Sequence, residues 1–461
     1  MSDLRPTATT RQRTLNYRLR LILKYGLLRG PAPRMASLTS KPPSKPVQAL
    51  KFGVWFANVV LLYEEFCEMS RYVDGEILDC TPMHPCVKIG IGGEKDMDKS
   101  KKKEWIILGI SGAAGGIVGY FGAAYLEKLG IGGLDWIFIF LGTILTLYAQ
   151  IILHEVGHLI CGLISGYKFV SFRVGSFILY KKQGKIHLGR YSIAGTAGQC
   201  LMTPPNLKEG KIPYQLYNFG GAIMNLAVAG IATILFALCN FGVFGGTICI
   251  TLIMWGVLLL ITNGIPMRLG GIDNDGYNAL CLGENPEALR AFWIQLKVNE
   301  MLTGGMRLKD MPEDWFQQPD EEGMQNNMIA AIEAMRCNRL LDKMSFDEAN
   351  RAIGEVVNYK NGMVGIQKML LKADQIFCEI LGERREEILN KMQDRELVNF
   401  MKSMKTYPGV IRTQYAYALL IKQDEKKAEQ YKKQFEKIME KHPHEGEVES
   451  EWELIKHCEQ N

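Results

Sequence analysis

The sequence lacks two features that would point to common kinds of function. It has no CxxC pair, and its eleven cysteines are scattered along the chain. We interpret them as small buried side chains in a reducing compartment, with Cys80 and Cys86 the pair best placed to form a disulfide. A strong charge imbalance is also missing, because the net charge is only +5 over 461 residues. We therefore expect no nucleic-acid partner.

Long apolar runs are missing from about residue 285 onward, where charged residues are frequent, but they dominate residues 105–266. This division predicts a membrane core followed by a water-facing domain. We therefore divide the chain into an N-terminal extension (1–96), a transmembrane core (97–283) and a C-terminal helical domain (284–461).

The extension is basic and broken by prolines, which is typical of a targeting segment, a membrane-surface segment or a disordered region. Another interpretation is that it is not natively translated. The codons of Gly92, Gly93 and Glu94, just before Met97, can spell the purine-rich ribosome-binding sequence of a bacterial message. We favour Met97 as the natural start and a bacterial cell membrane as the location.

Four apolar segments are near or above the length of a spanning helix, which is about 20 residues. They comprise residues 105–126, 136–164, 219–241 and 246–262. The sequence thus predicts an α-helical polytopic membrane protein with about four transmembrane helices. Basic residues concentrate before the first segment and between the second and the third, so the positive-inside rule places both regions and the C-terminal domain in the cytoplasm.

Two regions outside the apolar segments also have a regular pattern. Residues 168–193 alternate apolar and polar side chains and break at KKQGK, which predicts a β-hairpin insert at the membrane surface. Residues 327–357 and 412–443 each have the pattern of two helices around a polar turn, loosely similar to tetratricopeptide repeats. We expect a helical domain there that either binds a protein partner or only stabilises the core.

The second apolar segment contains the sequence HEVGH at residues 154–158. Residues four apart share one face of an α-helix, so His154 and His158 can bind one Zn²⁺ ion together. Glu155 can take a proton from water that the metal has acidified and pass it to a leaving amine. Ionisable side chains are costly inside a membrane and usually functional there, which argues against a chance match.

A catalytic zinc site usually takes three protein ligands. The segment TNGIPMRLGGIDNDG, at the end of the fourth apolar run, offers Asp273 and Asp275, with glycine and proline nearby to unwind the helix. Unwound backbone at membrane depth is tolerated only inside protein or beside a water-filled cavity. Both aspartates are therefore candidates for the third ligand.

Three motifs in this order resemble the site-2 proteases, which are intramembrane zinc metalloproteases: HEVGH, GGAIMN in the third apolar segment, and NGIP followed by NDG after the fourth. The resemblance implies one zinc ion, with the zinc ligands His154, His158 and Asp275 and the catalytic residue Glu155. It also implies that Gly221 and Asn225 form a Gly-x-x-x-Asn motif, in which Asn225 is a polar contact for substrate or transition state. An interhelical hydrogen bond is the other interpretation of Asn225.

The resemblance covers roughly residues 136–280 and departs from the family pattern in places. Ten positions (265–274) lie between Gly264 and Asp275, where the family usually has a short spacing, so Asp273 stays an alternative ligand. The proline usual after the glycine of Gly-x-x-x-Asn is absent, and the central loop is too short for a PDZ-like domain.

The resemblance therefore implies a simple member of the site-2 protease family, which would cleave membrane-protein substrates in or near their transmembrane segments, within the lipid bilayer. Two alternatives stay open. A prenyl-protein-processing metallopeptidase would carry HExxH but use a downstream glutamate as third ligand, and no convincing glutamate motif follows. A catalytically silent membrane scaffold or a metal transporter would have no need of Glu155.

Overall fold

The computed structural model describes residues 134–193, 196–269 and 272–460, together with scattered positions between 109 and 130. The predicted N-terminal extension (1–96) lies outside the described residues, as does most of the first predicted spanning segment (105–126). The part of the chain that the structure describes is mostly helical and contains a small antiparallel sheet.

Three described helices are long and apolar enough to cross a membrane. They are α1 (Asp135–Ile164), α2 (Tyr214–Leu238) and α3 (Val243–Gly264), and they correspond to the last three predicted spanning segments. Large apolar side chains such as Phe140, Ile234 and Leu238 are at least half exposed on their outer faces. An exterior of this kind suits lipid, because a helix at a water surface would carry polar residues there.

The three long helices approach one another through small and polar side chains. Gly157 of α1 faces Gly220 of α2 so closely that a Cβ on either residue would collide with the backbone of the other helix. From α3, Trp255 Nε1 donates to the Thr143 carbonyl of α1 at 3.0 Å. Close backbone approach and interhelical hydrogen bonds of this kind are the usual means by which helices associate in lipid.

An antiparallel sheet connects α1 to α2, and its strands lie in the order β3-β2-β1-β4. The strands are β1 (Lys168–Val174), β2 (Phe177–Lys182), β3 (Lys185–Arg190) and β4 (Gly198–Thr203). The predicted hairpin is confirmed as β2–β3, whose turn places Gln183 and Gly184 at φ of 48° and 78°. The insert is larger than this hairpin, because β4, beyond the predicted alternation, pairs with β1.

The chain unwinds after α3, as the glycine- and proline-rich sequence predicts. Two short strands, β5 (Arg268–Leu269) and β6 (Ile272–Asp273), precede the helix α4 (Asp275–Cys281). Asn274 caps α4 by accepting from the backbone N–H of Tyr277 at 2.9 Å, and its Nδ2 donates to the Thr262 carbonyl of α3 at 2.8 Å. This residue therefore fixes the start of α4, and with it Asp275, against the end of α3.

The C-terminal part is helical. It contains α5 (Pro286–Thr303), α6 (Asn327–Asp342), α7 (Phe346–Val357), α8 (Gly365–Leu381), α9 (Glu386–Leu389), α10 (Arg395–Ser403), α11 (Pro408–Ala416), α12 (Glu425–Met439) and α13 (Glu445–Glu459). The two predicted helix pairs are α6 with α7 and α11 with α12. Their largest apolar core includes Phe377, Ile411 and Phe435, each 0% exposed.

The helical part packs directly on the sheet. The ring of Tyr191, just after β3, lies edge-on to His442, with the ring centroids 5.1 Å apart. Lys182 of β2 forms an ion pair with Glu445 at the start of α13. His444 Nδ1 lies 3.0 Å from the Thr303 hydroxyl at the end of α5. These contacts join β2, the end of β3, α5 and α13.

Candidate metal centre

Two histidines of α1 and one aspartate of α4 turn their side chains to the same point. The Nε2 atoms of His154 and His158 are 3.1 Å apart. Asp275 Oδ2 lies 3.0 Å from the Nε2 of His154 and 3.3 Å from that of His158. Within the described residues, these three form the one group of histidine, cysteine, aspartate and glutamate side chains with the geometry to hold a metal ion.

Asp273, the alternative third ligand, does not join this group. Its Oδ1 accepts a hydrogen bond from Arg268 Nε at 2.6 Å, and its side chain is only 3% exposed. Burial raises the pKa of the Asp273 carboxyl, and the facing guanidinium opposes that shift. The Arg268 guanidinium also lies over the ring of Tyr277, 4.6 Å from its centroid. The structure therefore brings Asp275, and not Asp273, to the histidines.

The three converging atoms fit a divalent cation. Each can offer a lone pair, and their separations of 3.0, 3.1 and 3.3 Å leave no room for a further protein atom between them. Tetrahedral zinc with ligand bonds of about 2.0–2.2 Å requires ligand atoms about 3.3–3.6 Å apart, slightly farther than they lie here. The nitrogen and oxygen donors are those that zinc and related divalent metals accept.

The second nitrogen of each imidazole has its own partner. His158 Nδ1 lies 2.8 Å from the Tyr217 carbonyl oxygen, which can only accept, so this nitrogen carries the proton and Nε2 keeps its lone pair. His154 Nδ1 lies 2.6 Å from the Oδ1 of Asn225. Outer partners of this kind orient metal-binding histidines. The sequence predicts Asn225 as a contact for substrate or transition state, and the structure places its oxygen on His154.

The Asp275 carboxyl faces both imidazoles. Burial raises its pKa, but His158 and His154 outweigh this and hold the pKa below its usual range. A lowered pKa suits a metal centre, because a carboxylate binds a metal ion in its deprotonated form.

Glu155 is 8% exposed and lies beside the sheet. A Cβ on Gly198, the first residue of β4, would collide with the Oε1 of Glu155. The carboxylate therefore lies against the outer strand of the sheet, and only glycine fits at that position without displacing it.

Arg173 of β1 holds the stretch of chain that leads to Gly198, and the sequence gives no sign of this role. The side chain is 1% exposed, and its Nη1 donates to the carbonyls of Gly175 at 2.8 Å and Thr196 at 3.3 Å. Burial lowers the pKa of the guanidinium, while the carboxylate of Glu155 opposes that shift. In the sequence, Arg173 is indistinguishable from the other basic residues of the central loop.

Gly221 has a steric reason to be glycine. A Cβ at this position would collide with the imidazole of His154. Its neighbour Gly220 faces Gly157 at the crossing of α1 and α2. The first glycine of the pair therefore permits the helix crossing, and the second leaves space for the first predicted ligand.

Gln150 is a further polar residue that the sequence prediction missed. It is 0% exposed and lies on α1 four residues before His154. The signal was available, because Gln150, His154 and His158 repeat at the spacing that places side chains on one helix face. A single amide in an apolar run gives no other indication of its partners.

Comparisons with protein-family models, with curated proteins and with solved structures find no match to this chain. The site is therefore interpreted from its own residues and their geometry.

Proposed function

We propose that the protein is a zinc-dependent intramembrane endopeptidase that hydrolyses peptide bonds in or near the transmembrane segments of other membrane proteins. The observation that carries the proposal is the convergence of His154 and His158, in an apolar helix long enough to span a membrane, with Asp275, and with Glu155 next to the first of them. The motifs that supply these residues resemble those of the site-2 proteases.

Each residue has a defined part in this chemistry. His154, His158 and Asp275 hold one zinc ion, which when bound acts as a Lewis acid that acidifies water and polarises the scissile carbonyl. Glu155 accepts a proton at its carboxylate from the attacking water and delivers it to the leaving amide nitrogen. The substrate helix must unfold locally, because its carbonyls are otherwise engaged in helical hydrogen bonds.

The location follows from the same residues. His154 and His158 lie in the half of α1 that leads into the sheet, and the sheet carries basic side chains such as Lys181 and Lys185. We place this side in the cytoplasm of a bacterial cell, with water reaching the site from there. The helical part would then lie in the cytoplasm, where it can bind a protein regulator or the soluble portion of a substrate.

Neither alternative function is favoured by a specific observation. The carboxylate that meets the histidines belongs to an aspartate, whereas a prenyl-protein-processing metallopeptidase would present a glutamate. A silent scaffold or a metal transporter leaves Glu155, next to a metal ligand and buried beside the sheet, without a role.

The test is cleavage of a reconstituted substrate that has one transmembrane helix. We expect Glu155→Gln to slow cleavage by at least about 100-fold while the purified protein still contains one zinc ion, because only the proton carrier is removed. The matched control is His187→Gln, a histidine exposed on β3 that should leave the rate unchanged. Cleavage by Glu155→Gln at the wild-type rate would overturn the proposal, as would a wild-type rate that survives removal of zinc by a chelator.

A further inference from the structure

We infer that Gln150 and Asn225 are positioning residues that form a hydrogen-bonded relay and fix the orientation and tautomer of His154 for metal binding. The inference rests on the proposed metal site. It goes beyond that proposal because it assigns a role to Gln150 and gives Asn225 a role that needs no contact with substrate.

The relay is a continuous chain of hydrogen bonds from α3 through α1 and α2 to the site. Gln150 Nε2 donates to the Leu252 carbonyl at 2.8 Å. Asn225 Nδ2 donates to Gln150 Oε1 at 2.7 Å and to the Gln150 backbone carbonyl at 3.1 Å. Asn225 Oδ1 lies 2.6 Å from His154 Nδ1. Gln150 and Asn225 are both 0% exposed.

The Leu252 carbonyl is the first acceptor of the relay, and it determines which atom donates and which accepts in every later hydrogen bond. The Leu252 carbonyl can only accept, so it must face the NH₂ group of Gln150, and the oxygen of Gln150 then faces Asn225. That oxygen in turn requires the NH₂ group of Asn225, which leaves the Asn225 oxygen facing His154. The imidazole must therefore carry its proton on Nδ1, and its Nε2 presents a lone pair towards His158 and Asp275.

These hydrogen bonds leave Asn225 no free N–H group to donate to a substrate. Its amide has two N–H groups, and Gln150 accepts from both of them. A transition state would need such a donor for its developing oxyanion. Recruiting Asn225 for that purpose would break a buried hydrogen bond among apolar helices, where an unpaired polar group is costly.

Other polar contacts between the same helices do not lead to the metal site. One turn before Gln150, the Thr146 hydroxyl of α1 donates to the Thr251 hydroxyl of α3 at 2.9 Å. Thr146 is 3% exposed, so its burial matches that of the relay residues. It provides a control in which a buried interhelical hydrogen bond is lost without any effect on His154.

The experiment measures the Zn²⁺ affinity of the full chain in detergent micelles by competition with a coloured chelator. Asn225→Ala should weaken Zn²⁺ binding by about 10- to 100-fold, as loss of an outer partner of a metal-bound histidine does. Asn225→Asp keeps an oxygen that can accept from His154 Nδ1 but loses both donors to Gln150, so it should weaken binding by about tenfold, as Gln150→Leu does. Gln150→Leu should weaken binding by about tenfold, less than Asn225→Ala, since the backbone carbonyl of Gln150 still holds Asn225.

Three results would overturn the relay. The first is wild-type Zn²⁺ affinity in Asn225→Ala. The second is an equal loss in Thr146→Val, which would assign the effect to helix packing. The third is wild-type affinity in both Gln150→Leu and Asn225→Asp, which would mean that the hydrogen bonds between Gln150 and Asn225 do not orient the histidine.

Measuring cleavage on the same samples separates the relay from the proposed activity. A wild-type chain that binds Zn²⁺ but does not cleave, together with weakened binding in Asn225→Ala, refutes the protease and supports the relay. Normal Zn²⁺ affinity and a raised KM in Asn225→Ala refute the relay and leave the protease in place.

Discussion

Two regions of this protein gather buried polar side chains at one point, and they do so in opposite ways. In the helical part, Arg412 is 2% exposed and donates to the carboxylates of Asp374 and Glu451, while its guanidinium lies over the ring of Phe377, 4.4 Å from the centroid. In the membrane core, His154, His158 and Asp275 instead turn three lone-pair atoms towards one another.

The difference distinguishes a cluster that stabilises the fold from a cluster that can bind a ligand. The Arg412 guanidinium has two carboxylate partners within the chain, so this cluster stabilises the packing of α8, α11 and α13. Three converging donor atoms are complete only when a cation is supplied from outside. The burial of polar groups is therefore weak evidence for a functional site. Lone pairs that point towards one another are stronger evidence.

The largest effect on Zn²⁺ binding is expected from a substitution of Asp275. We expect Asp275→Asn to weaken Zn²⁺ binding by more than the roughly 10- to 100-fold that loss of an outer partner causes, because a direct ligand is removed. The matched control is Asp273→Asn, two residues away and already engaged by Arg268. Zinc content after dialysis checks both variants. Equal loss in the two variants, or loss only in Asp273→Asn, would contradict the assignment.

The cluster around Arg412 should respond in stability and not in metal content. Arg412→Met leaves two buried carboxylates facing each other, so we expect the free energy of unfolding to fall by about 3–5 kcal/mol. Replacing Asp374 and Glu451 by leucine in the same chain should restore most of that loss. Denaturant unfolding followed by circular dichroism measures it. A single variant as stable as wild type, or one that loses zinc, would contradict this view of the cluster.

The free energy of unfolding should also depend on pH, through buried titratable groups of the helical part. Burial lowers the pKa of His442 to about 4, and the residue is 8% exposed. A histidine in the unfolded chain has a pKa of about 6.5. The folded value is the lower one, so the stability gained from neutral His442 is fully present above pH 6.5 and is lost as the pH falls towards 4. The loss between pH 7 and pH 5 is on the order of 2 kcal/mol.

Nearby carboxyls have the opposite dependence, so the measurement must be differential. Burial raises the pKa of Glu447 and Glu451 to about 7, although Arg412 opposes the shift. Their stabilising effect is present at low pH and is lost as the pH rises towards 7. Relative to His442→Gln, wild type should therefore lose about 2 kcal/mol of unfolding free energy between pH 7 and pH 5. His187→Gln should follow wild type, and identical pH profiles for wild type and His442→Gln would refute the prediction.

The smallest expected effect tests the space around His154. Gly221→Ala places a methyl group where the imidazole lies. Overpacking a tight site costs about 1–3 kcal/mol, which corresponds here to a fall in Zn²⁺ affinity of about tenfold. Gly230→Ala on the same helix is the matched control, because nothing lies within 4 Å of a Cβ at that position. Equal Zn²⁺ affinities in the two variants would show that the imidazole moves aside freely.

The sequence predicted those parts of the fold that depend on local pattern. Apolar runs located α1, α2 and α3, and the four-residue spacing placed His154 and His158 on one face. Alternation and a turn sequence predicted β2 and β3. The pairing of β4 with β1 depends on residues far apart in the chain, so no local pattern predicts it.

The part of the site that escaped prediction depends on competition between side chains. The resemblance favoured Asp275, but residue type alone does not distinguish it from Asp273, and in the structure Arg268 engages Asp273. Arg173 looks like a surface cation until the chain folds around it. The resemblance singled out Asn225 as a polar contact, but its hydrogen bond to His154 could not be read from spacing, because three helices must meet before the amide can be oriented.

The cap at Asn274 has a consequence for how this protein can vary. Gly264 and Gly276 are in contact, since a Cβ on the second would collide with the carbonyl of the first, although eleven residues (265–275) separate them in the chain. Asn274 donates to the carbonyls of Thr262 and Ile265 and accepts from the N–H of Met267. This one side chain therefore holds the two ends of the loop together. The loop residues between Met267 and Asn274 can therefore change in number or identity without moving Asp275. Distance along the chain is therefore a poor guide to this ligand, and a single asparagine is a better one.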